Sequence, residues 1–207
     1  MSPTLPTSYS WFPVGQRLKV AYEAPQERRV NALGVYFSQG PCAGRFLFET
    51  WAKLPKSRAK KPRKSLAEVA EQHGLTASEV GTINANCFIR FVWKVAGRGP
   101  QHPGPWKRER PLFVVVDNYS VHKSQPVQEE MAAWKAADVH LLYLPSYSPE
   151  LSEMEPIWND VKYHQMHQRS YSVLGELKRA LDEALQRKAD TLLAARTKTE
   201  HLLQPIT

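Results

Sequence analysis

The chain has 207 residues, of which 42% are hydrophobic, and its formal net charge at neutral pH is +8. This length suits one domain with a buried core, and the positive charge favours polyanionic partners, nucleic acid before anionic membranes. No apolar run approaches the length of a membrane span, and the start MSPTLPTSYS lacks the apolar core of a signal peptide. The two cysteines, Cys42 and Cys87, lie too far apart for a paired-ligand zinc motif, which predicts a reduced, cytoplasmic chain.

The N-terminal part predicts a frayed end followed by a hairpin. The first ten residues are rich in Ser, Thr and Pro, so we expect a disordered N-terminus over 1–10. Residues 28–37 (RRVNALGVYF) and 45–51 (RFLFETW) both have strand composition. The turn signal QGP at 39–41 separates them and predicts that the two strands pair as an antiparallel hairpin.

A basic loop follows the second strand. No acidic residue occurs between Glu49 and Glu68, and Pro55 and Pro62 disfavour regular structure. Its cations suit contacts with phosphates, and a merely solvated loop is the competing interpretation. The candidate nucleic-acid-binding residues are Lys56, Arg58, Lys60, Lys61, Arg63 and Lys64.

Two helical segments come next. Residues 65–80 (SLAEVAEQHGLTASEV) have a helical pattern with a break at His73 and Gly74. This pattern fits a DNA-reading helix-turn-helix less well than two short packed helices, so we expect a basic and helical insertion over about 53–82. Residues 83–97 predict a further helix that ends at Gly97.

The C-terminal half begins with a parallel strand pair. Residues 111–117 (PLFVVVD) form a continuous apolar run that ends in an acid, which predicts a strand covered on both faces. An amphipathic helix over 124–137 and a second buried strand over 139–145 follow. Because a helix joins the two strands, we expect them to be parallel with a right-handed crossover.

Two more helices complete the prediction, one starting at Ser152 and one over 172–187. Four leucines of the last helix recur at helical spacing, which favours a core stripe over a partner surface: Leu174, Leu177, Leu181 and Leu185. Residues 191–207 are expected to be a tail. The hairpin, the parallel pair and the helices together predict an α/β fold, with a mixed sheet flanked by helices on both faces.

Asp117 is the first candidate for chemistry. Functional groups collect at the carboxyl ends of strands in open α/β sheets, and Asp117 ends the apolar strand. Asn118 follows directly and His122 comes five residues later, where the ring could orient Asp117 or contact DNA. Ordinary turn chemistry for Asp-Asn, with a histidine satisfied in the loop, is the alternative.

Glu155 is the second candidate, because it comes shortly after the neighbouring strand and could meet Asp117 at the same sheet edge. A competing interpretation is an S-x-x-E capping box between Ser152 and Glu155, although Pro156 disfavours helical geometry at Glu155. The two interpretations are compatible. Carboxylates on adjacent strand ends are hard oxygen ligands of the kind that Mg²⁺ prefers, and paired ions can clamp a phosphodiester.

Two stretches carry a family resemblance, VVDNYSVHKS at 115–124 and LLYLPSYSPELSEMEPIWNDVKY at 141–163. They resemble the second half of the catalytic domain of bacterial insertion-sequence transposases of the mariner-type superfamily, which are DDE endonucleases with an RNase H-like fold. The first stretch matches the family's strand followed by Asp-Asn and His, here Asp117, Asn118 and His122. The second matches Leu-Pro-x-Tyr-Ser-Pro, an acid and a Trp three residues on, here Glu155 and Trp158.

The resemblance implies an RNase H-like catalytic domain over 11–190. In that family Asp117 and Glu155 would be catalytic ligands of Mg²⁺ or Mn²⁺, with two ions in the intact enzyme, and Asn118, His122 and Ser152 would support them. Ser152 stands where the family commonly has Asn, and both residues cap helices well. The implied partners are transposon-end and target DNA and a second copy in a homodimer, with a nucleoid-associated, cytoplasmic location.

One part of the family pattern is missing. No aspartate precedes Asp117, and the segment WFPVGQR at 11–17 resembles the one that follows the family's first catalytic strand. We therefore expect an N-terminally truncated DDE transposase that lacks the first strand, its Asp and the usual DNA-binding helices. A polypeptide from an upstream reading frame could supply that Asp. The predicted function is DNA cleavage and strand transfer at insertion-sequence ends, and the alternative is a non-catalytic, basic DNA-binding relic.

Overall fold

The computed structural model describes residues 29–54, 65–99, 101–102, 104–146, 148–166, 171 and 173–202. Three predictions concern residues outside these ranges: the disordered start, the segment WFPVGQR and the phosphate-contacting residues between 56 and 64. Over the described ranges, the helices are all too short or too polar to cross a membrane.

The predicted hairpin is confirmed. Strands β1 (Arg29–Tyr36) and β2 (Phe46–Lys53) pair antiparallel, with Leu33 opposite Glu49. Alternation places one set of side chains of each strand against helices and the other set on the opposite face. The hairpin therefore offers one apolar face on which later elements pack.

The predicted pair of short helices forms only in part. Helix α1 (Leu66–Gln72) starts with a capping box between Ser65 and Glu68 and ends before Gly74, whose φ is +67°. The second segment is only a 3-10 turn, Ala77–Glu79, so the helix-turn-helix interpretation is wrong. The chain straightens there because Val80 bridges to Ala52 of β2, and the N–H of Gly81 donates to the Ala52 carbonyl at 3.0 Å.

The predicted parallel pair is confirmed, together with the helices before and within it. Strands β3 (Leu112–Val116) and β4 (Val139–Tyr143) are joined by helix α3 (Gln125–Ala136). Helix α2 (Ala85–Ala96) precedes them and ends at Gly97, whose φ of +88° explains the glycine there. One core unites these four elements, and its buried side chains include Phe88, Val92, Val114, Val116, Val127, Trp134 and Val139.

The prediction that the first apolar strand is covered on both faces is wrong. Phe113 and Val115 are 59% and 57% exposed, and their neighbour Leu142 on β4 is 49% exposed. Helices α2 and α3 cover only the opposite face of this pair, because the later helices pack on the hairpin instead. Among the described strands, the hairpin and the parallel pair form two separate two-stranded sheets rather than one. The α/β class with flanking helices is confirmed.

The last two helices build a second core on the hairpin. Helix α4 (Met154–Asp160) continues into a π-helical turn, and helix α5 (Leu174–Leu202) runs past its predicted end into the segment expected to be a tail. The leucine stripe is core, as predicted: Leu174, Leu177, Leu181 and Leu185 are 0–1% exposed. They pack with Val30, Phe46 and Ala52 of the hairpin.

Trp158 joins α4 to the hairpin at a glycine. A Cβ atom added to Gly34 would lie 2.9 Å from Cη2 of Trp158 and 2.9 Å from Cε2 of Phe46. The two rings meet edge to face, with centroids 6.0 Å apart. The indole therefore approaches β1 this closely because residue 34 has no side chain.

An ion pair joins α4 to α5. Asp160 Oδ2 lies 2.8 Å from Lys188 Nζ, and the two side chains are 28% and 17% exposed. The hydrogen bond from Lys188 is the main reason that the pKa of Asp160 lies below its usual value of 3.8, with burial acting in the opposite direction. A carboxyl whose pKa is lowered by folding stabilises the fold above its unfolded pKa.

We predict that Gly34→Ala lowers the free energy of unfolding by about 1–3 kcal/mol, because the methyl group displaces the Trp158 ring. Urea denaturation followed by tryptophan fluorescence measures the change. Gly104→Ala is the matched control, since no atom lies within 4 Å of a Cβ at that position. Equal stability of the two variants would contradict the close approach.

We also predict that Asp160→Asn lowers the free energy of unfolding at neutral pH by ~0.5–1 kcal/mol. The difference between the variant and the unchanged protein should shrink as the pH falls below roughly 4, because Asp160 of the unchanged protein then becomes protonated, first in the unfolded state and at lower pH also in the folded state. Urea unfolding at a series of pH values tests this, with Asp190→Asn as control, since among the described residues Asp190 accepts only from Gln186 on its own helix. A pH-independent difference would show that the ion pair is not its cause.

Candidate functional site

Asp117 lies directly after β3, at the carboxyl end of the parallel pair. Its Oδ1 atom accepts a hydrogen bond from the Tyr119 N–H at 3.0 Å and lies 2.9 Å from Nδ1 of His122. The Asp117 side chain is 66% exposed, whereas the His122 side chain is only 12% exposed. One carboxylate oxygen is thus held by the loop, and the other remains open to an incoming ligand.

His122 is itself held from three sides. Its ring packs against Phe88 of α2 with centroids 4.3 Å apart, and the Tyr119 ring meets it edge-on at 5.8 Å. Its backbone carbonyl accepts a hydrogen bond from the Tyr143 hydroxyl at 2.7 Å. With the proton on Nδ1, this packed ring donates to Asp117 Oδ1, and the interpretation of His122 as the group that orients Asp117 stays a prediction.

Sequence reasoning missed Tyr143 and Phe88 as parts of this site. Tyr143 ends β4 opposite Val116, the residue before Asp117. The parallel pairing predicted for these strands could have indicated that neighbourhood, because strands in register end side by side. Phe88 carries no comparable signal, since only packing of α2 against the loop brings it to His122.

Asn118 joins the ends of the two strands. Its side-chain N–H donates to the Leu144 carbonyl at 2.6 Å, and the Leu144 N–H donates to the Val116 carbonyl at 2.9 Å. These bonds extend the parallel pairing by one residue beyond β4. Asn118 therefore helps to set the direction in which the chain leaves β3 at Asp117.

Glu155 lies in the first turn of α4 and is exposed. The predicted capping box with Ser152 is wrong: no side chain caps α4, and the Glu155 N–H donates to the backbone carbonyl of Ser152 at 3.2 Å. The reason is that Glu153 already has helical dihedral angles, φ −63° and ψ −13°. Ser152 thus contributes its carbonyl and not its hydroxyl to the start of the helix.

Asp117 and Glu155 belong to different packing units, since β3 packs with α2 and α3 while α4 packs on the hairpin. No hydrogen bond or ion pair joins these two acids in the described part of the chain. Within the same residues, no group of three or more His, Cys, Asp or Glu side chains is arranged to hold a metal ion. Asp117 has the oxygen chemistry that a divalent cation prefers, but the described residues do not assemble a full set of donors.

Comparison with known proteins places these residues in a family. The family described as "DDE superfamily endonuclease" matches residues 53–178, which is more than half of the chain and includes Asp117, His122 and Glu155. No curated protein matches the chain. The matched region spans both the parallel pair and α4, the two elements that precede or carry the candidate acids. The chain therefore belongs to the DDE superfamily of endonucleases, and its α/β architecture is that of an RNase H-like DDE domain.

Proposed function

We propose that this chain is the part of a bacterial insertion-sequence transposase, of the mariner-type superfamily, that carries the second and third acids of the DDE set. Water would attack the phosphorus at a transposon end and release a 3′ hydroxyl, which would then attack a phosphodiester of the target DNA. The observation that carries the proposal is Asp117, held by His122 at the end of β3, within the region that matches DDE endonucleases.

Asp117 and Glu155 would be the ligands of Mg²⁺ or Mn²⁺, two ions in the intact enzyme. When bound, such ions stabilise the attacking and leaving oxygens of a phosphodiester. The chain's own residues do the positioning. His122 would hold one carboxylate oxygen of Asp117 in place. Asn118 would fix the direction in which the chain leaves β3. Trp158 would pack the helix that contains Glu155 against β1.

A third carboxylate would complete the set, and a polypeptide from an upstream reading frame could supply it. No aspartate precedes Asp117 in the 207 residues. Support comes from the described strands, where β1–β2 and β3–β4 are separate sheets. A further strand between the two pairs would join them into the mixed sheet expected of an RNase H-like domain.

DNA is the partner that the family implies, and three finer assignments belong to the same proposal. The loop residues Lys56, Arg58, Lys60, Lys61, Arg63 and Lys64 would contact phosphates. A homodimer would bring two transposon ends together. The net charge of +8 supports association with the nucleoid in the cytoplasm.

The decisive experiment is a cleavage assay on duplex DNA that carries the ends flanking the coding region, with Mg²⁺ or Mn²⁺. We expect little or no nicking by the purified chain alone and clear nicking after the upstream-frame polypeptide is added. Asp117→Asn should reduce that nicking at least ~100-fold, because a neutral amide replaces an anionic ligand.

Three outcomes would contradict the proposal. Robust nicking by the chain alone would show that no further carboxylate is needed. Full activity of Asp117→Asn would remove Asp117 from the site. Tight DNA binding without nicking, even in the presence of the upstream polypeptide, would favour the alternative function, a non-catalytic DNA-binding relic.

Metal binding offers a second test that is independent of cleavage. We expect Asp117→Asn to weaken Mn²⁺ binding to the chain together with its upstream polypeptide by about 10-fold or more, measured by electron paramagnetic resonance of free Mn²⁺. Glu129→Gln is the matched control, because Glu129 is an exposed acid on α3 that, in the part of the chain that the structure describes, accepts only from Gln125 one turn away. Equal affinities of the two variants would exclude Asp117 as a ligand.

A further inference from the structure

The end of the parallel pair opposite Asp117 is strongly basic. Helices α2 and α3 both end there, and Arg108, in the loop shortly before β3, contacts both ends: its backbone N–H donates to the Ala137 carbonyl and its guanidinium to the Ala96 carbonyl. Two carboxylates, Glu109 and Asp138, belong to this end of the sheet. Five cationic residues lie at the same end and outnumber these two acids: Arg98, Lys107, Arg108, Arg110 and Lys135.

Aromatic rings hold part of this loop in place. The guanidinium of Arg98 lies over the Trp93 ring, 4.6 Å from its centroid, and donates to the Gly104 carbonyl at 3.3 Å. The Trp106 ring lies 6.4 Å from Trp93 and 5.5 Å from His102, measured between centroids. The Arg98 charge is therefore oriented before any ligand arrives, which lowers the entropy lost on binding.

Only some of these cations are explained by the C-terminal ends of α2 and α3. The C-terminus of an α-helix carries roughly half a negative charge, which nearby cations offset. Arg108 does this for α2, because its guanidinium donates to the carbonyl of Ala96, the last residue of that helix. Its Nε also donates to the Arg110 carbonyl at 3.1 Å, so Arg108 is a structural residue of the loop.

The charges of Lys107 and Arg110 remain available to bind an anion. Lys107 Nζ lies 3.5 Å from Asp138, but the Lys107 side chain is 67% exposed, and exposed ion pairs contribute little free energy. Asp138 also has a second partner, since His140 is 3.2 Å away and is the main cause of its lowered pKa. The exposed guanidinium of Arg110 has no ion-pair or hydrogen-bond partner within the described ranges. The remaining acid of α3 near the loop, Glu130, accepts from the Trp93 indole.

We propose that Arg98, Lys107 and Arg110 form a contact surface for the phosphate backbone of duplex DNA, remote from the cleaved bond. β3 has five residues, which places this surface roughly 16 Å or more from Asp117 along the strand direction. Phosphates follow one another every ~1.7 Å along the axis of a duplex. A duplex that lies along the parallel pair therefore presents phosphates to both ends of that pair. Such contacts position DNA without reading its sequence. This inference rests on the proposed function, because it takes DNA as the partner.

The test is the salt dependence of binding to a fluorescently labelled duplex of arbitrary sequence, measured by anisotropy with the full chain. Each lost phosphate contact lowers the slope of log K against log salt by about 0.9. We expect the slope of log K against log salt to fall by nearly two such amounts in the double variant Lys107→Gln/Arg110→Gln. In the triple variant with Arg98→Gln it should fall by nearly three. The double variant leaves the Arg98–Trp93 contact intact, so a change of slope there does not depend on loop unfolding.

The matched control is Arg179→Gln/Lys198→Gln, which removes the same charge from exposed positions on α5. A smaller loss of slope in this control than in Lys107→Gln/Arg110→Gln supports a localised surface. Equal losses would show that only net charge matters and would overturn it. Stronger binding of a single-stranded RNA than of the duplex, with the same losses in the variants, would overturn it in favour of RNA.

The two proposals fail in distinguishable ways. If the unchanged protein binds no duplex at any salt concentration, this surface is wrong, whereas nicking after the upstream-frame polypeptide is added would still support the proposed function. If the protein binds DNA and Asp117→Asn abolishes nicking, but Lys107→Gln/Arg110→Gln has an unchanged slope, only this surface is wrong.

Discussion

Burial of the α5 leucine stripe against the hairpin is the interaction on which the rest of the C-terminal structure depends. Leu177, Leu181 and Leu185 are completely buried there, and the same core takes Ile157 of α4. Because side chains of this core interlock at close packing, the position of α4, and with it of Glu155, follows from the hairpin. Asp117 has no share in this core, since it extends from a strand that packs with α2 and α3.

The relation between the two candidate acids therefore depends on how the two cores are joined. Glu49 of β2 provides one link, with its carboxylate 2.7 Å from Lys94 and 3.4 Å from Arg90 of α2. The two cations are more than half exposed, so these pairs guide the contact more than they stabilise it.

The two ends of the parallel pair differ in chemistry for a physical reason. At the carboxyl ends of β3 and β4 the chain diverges into loops, which leaves Asp117 exposed while Asn118 and His122 pack beside it. At the amino ends the helices α2 and α3 terminate, and cations near their last carbonyl groups offset the negative helix ends. Arg108 donates to the carbonyls of Ala96 and Ala137, while Lys107 and Arg110 add exposed positive charge.

The sequence by itself determined the elements and the candidate chemistry, because these depend on local patterns. Strand composition and the turn signal at 39–41 predicted the hairpin, Gly97 marked the end of α2, and an apolar strand ending in Asp117 indicated the candidate site. The tertiary structure alone decided which faces are covered, and it left Phe113 and Val115 exposed although their apolar run predicted burial. The segment after Gly74 was predicted to be helical, but it forms a short 3-10 turn and a β-bridge, since pairing with Ala52 outweighed helical propensity. Long-range contacts of this kind, such as Phe88 with His122, have no counterpart in local spacing, because the packing of distant segments creates them.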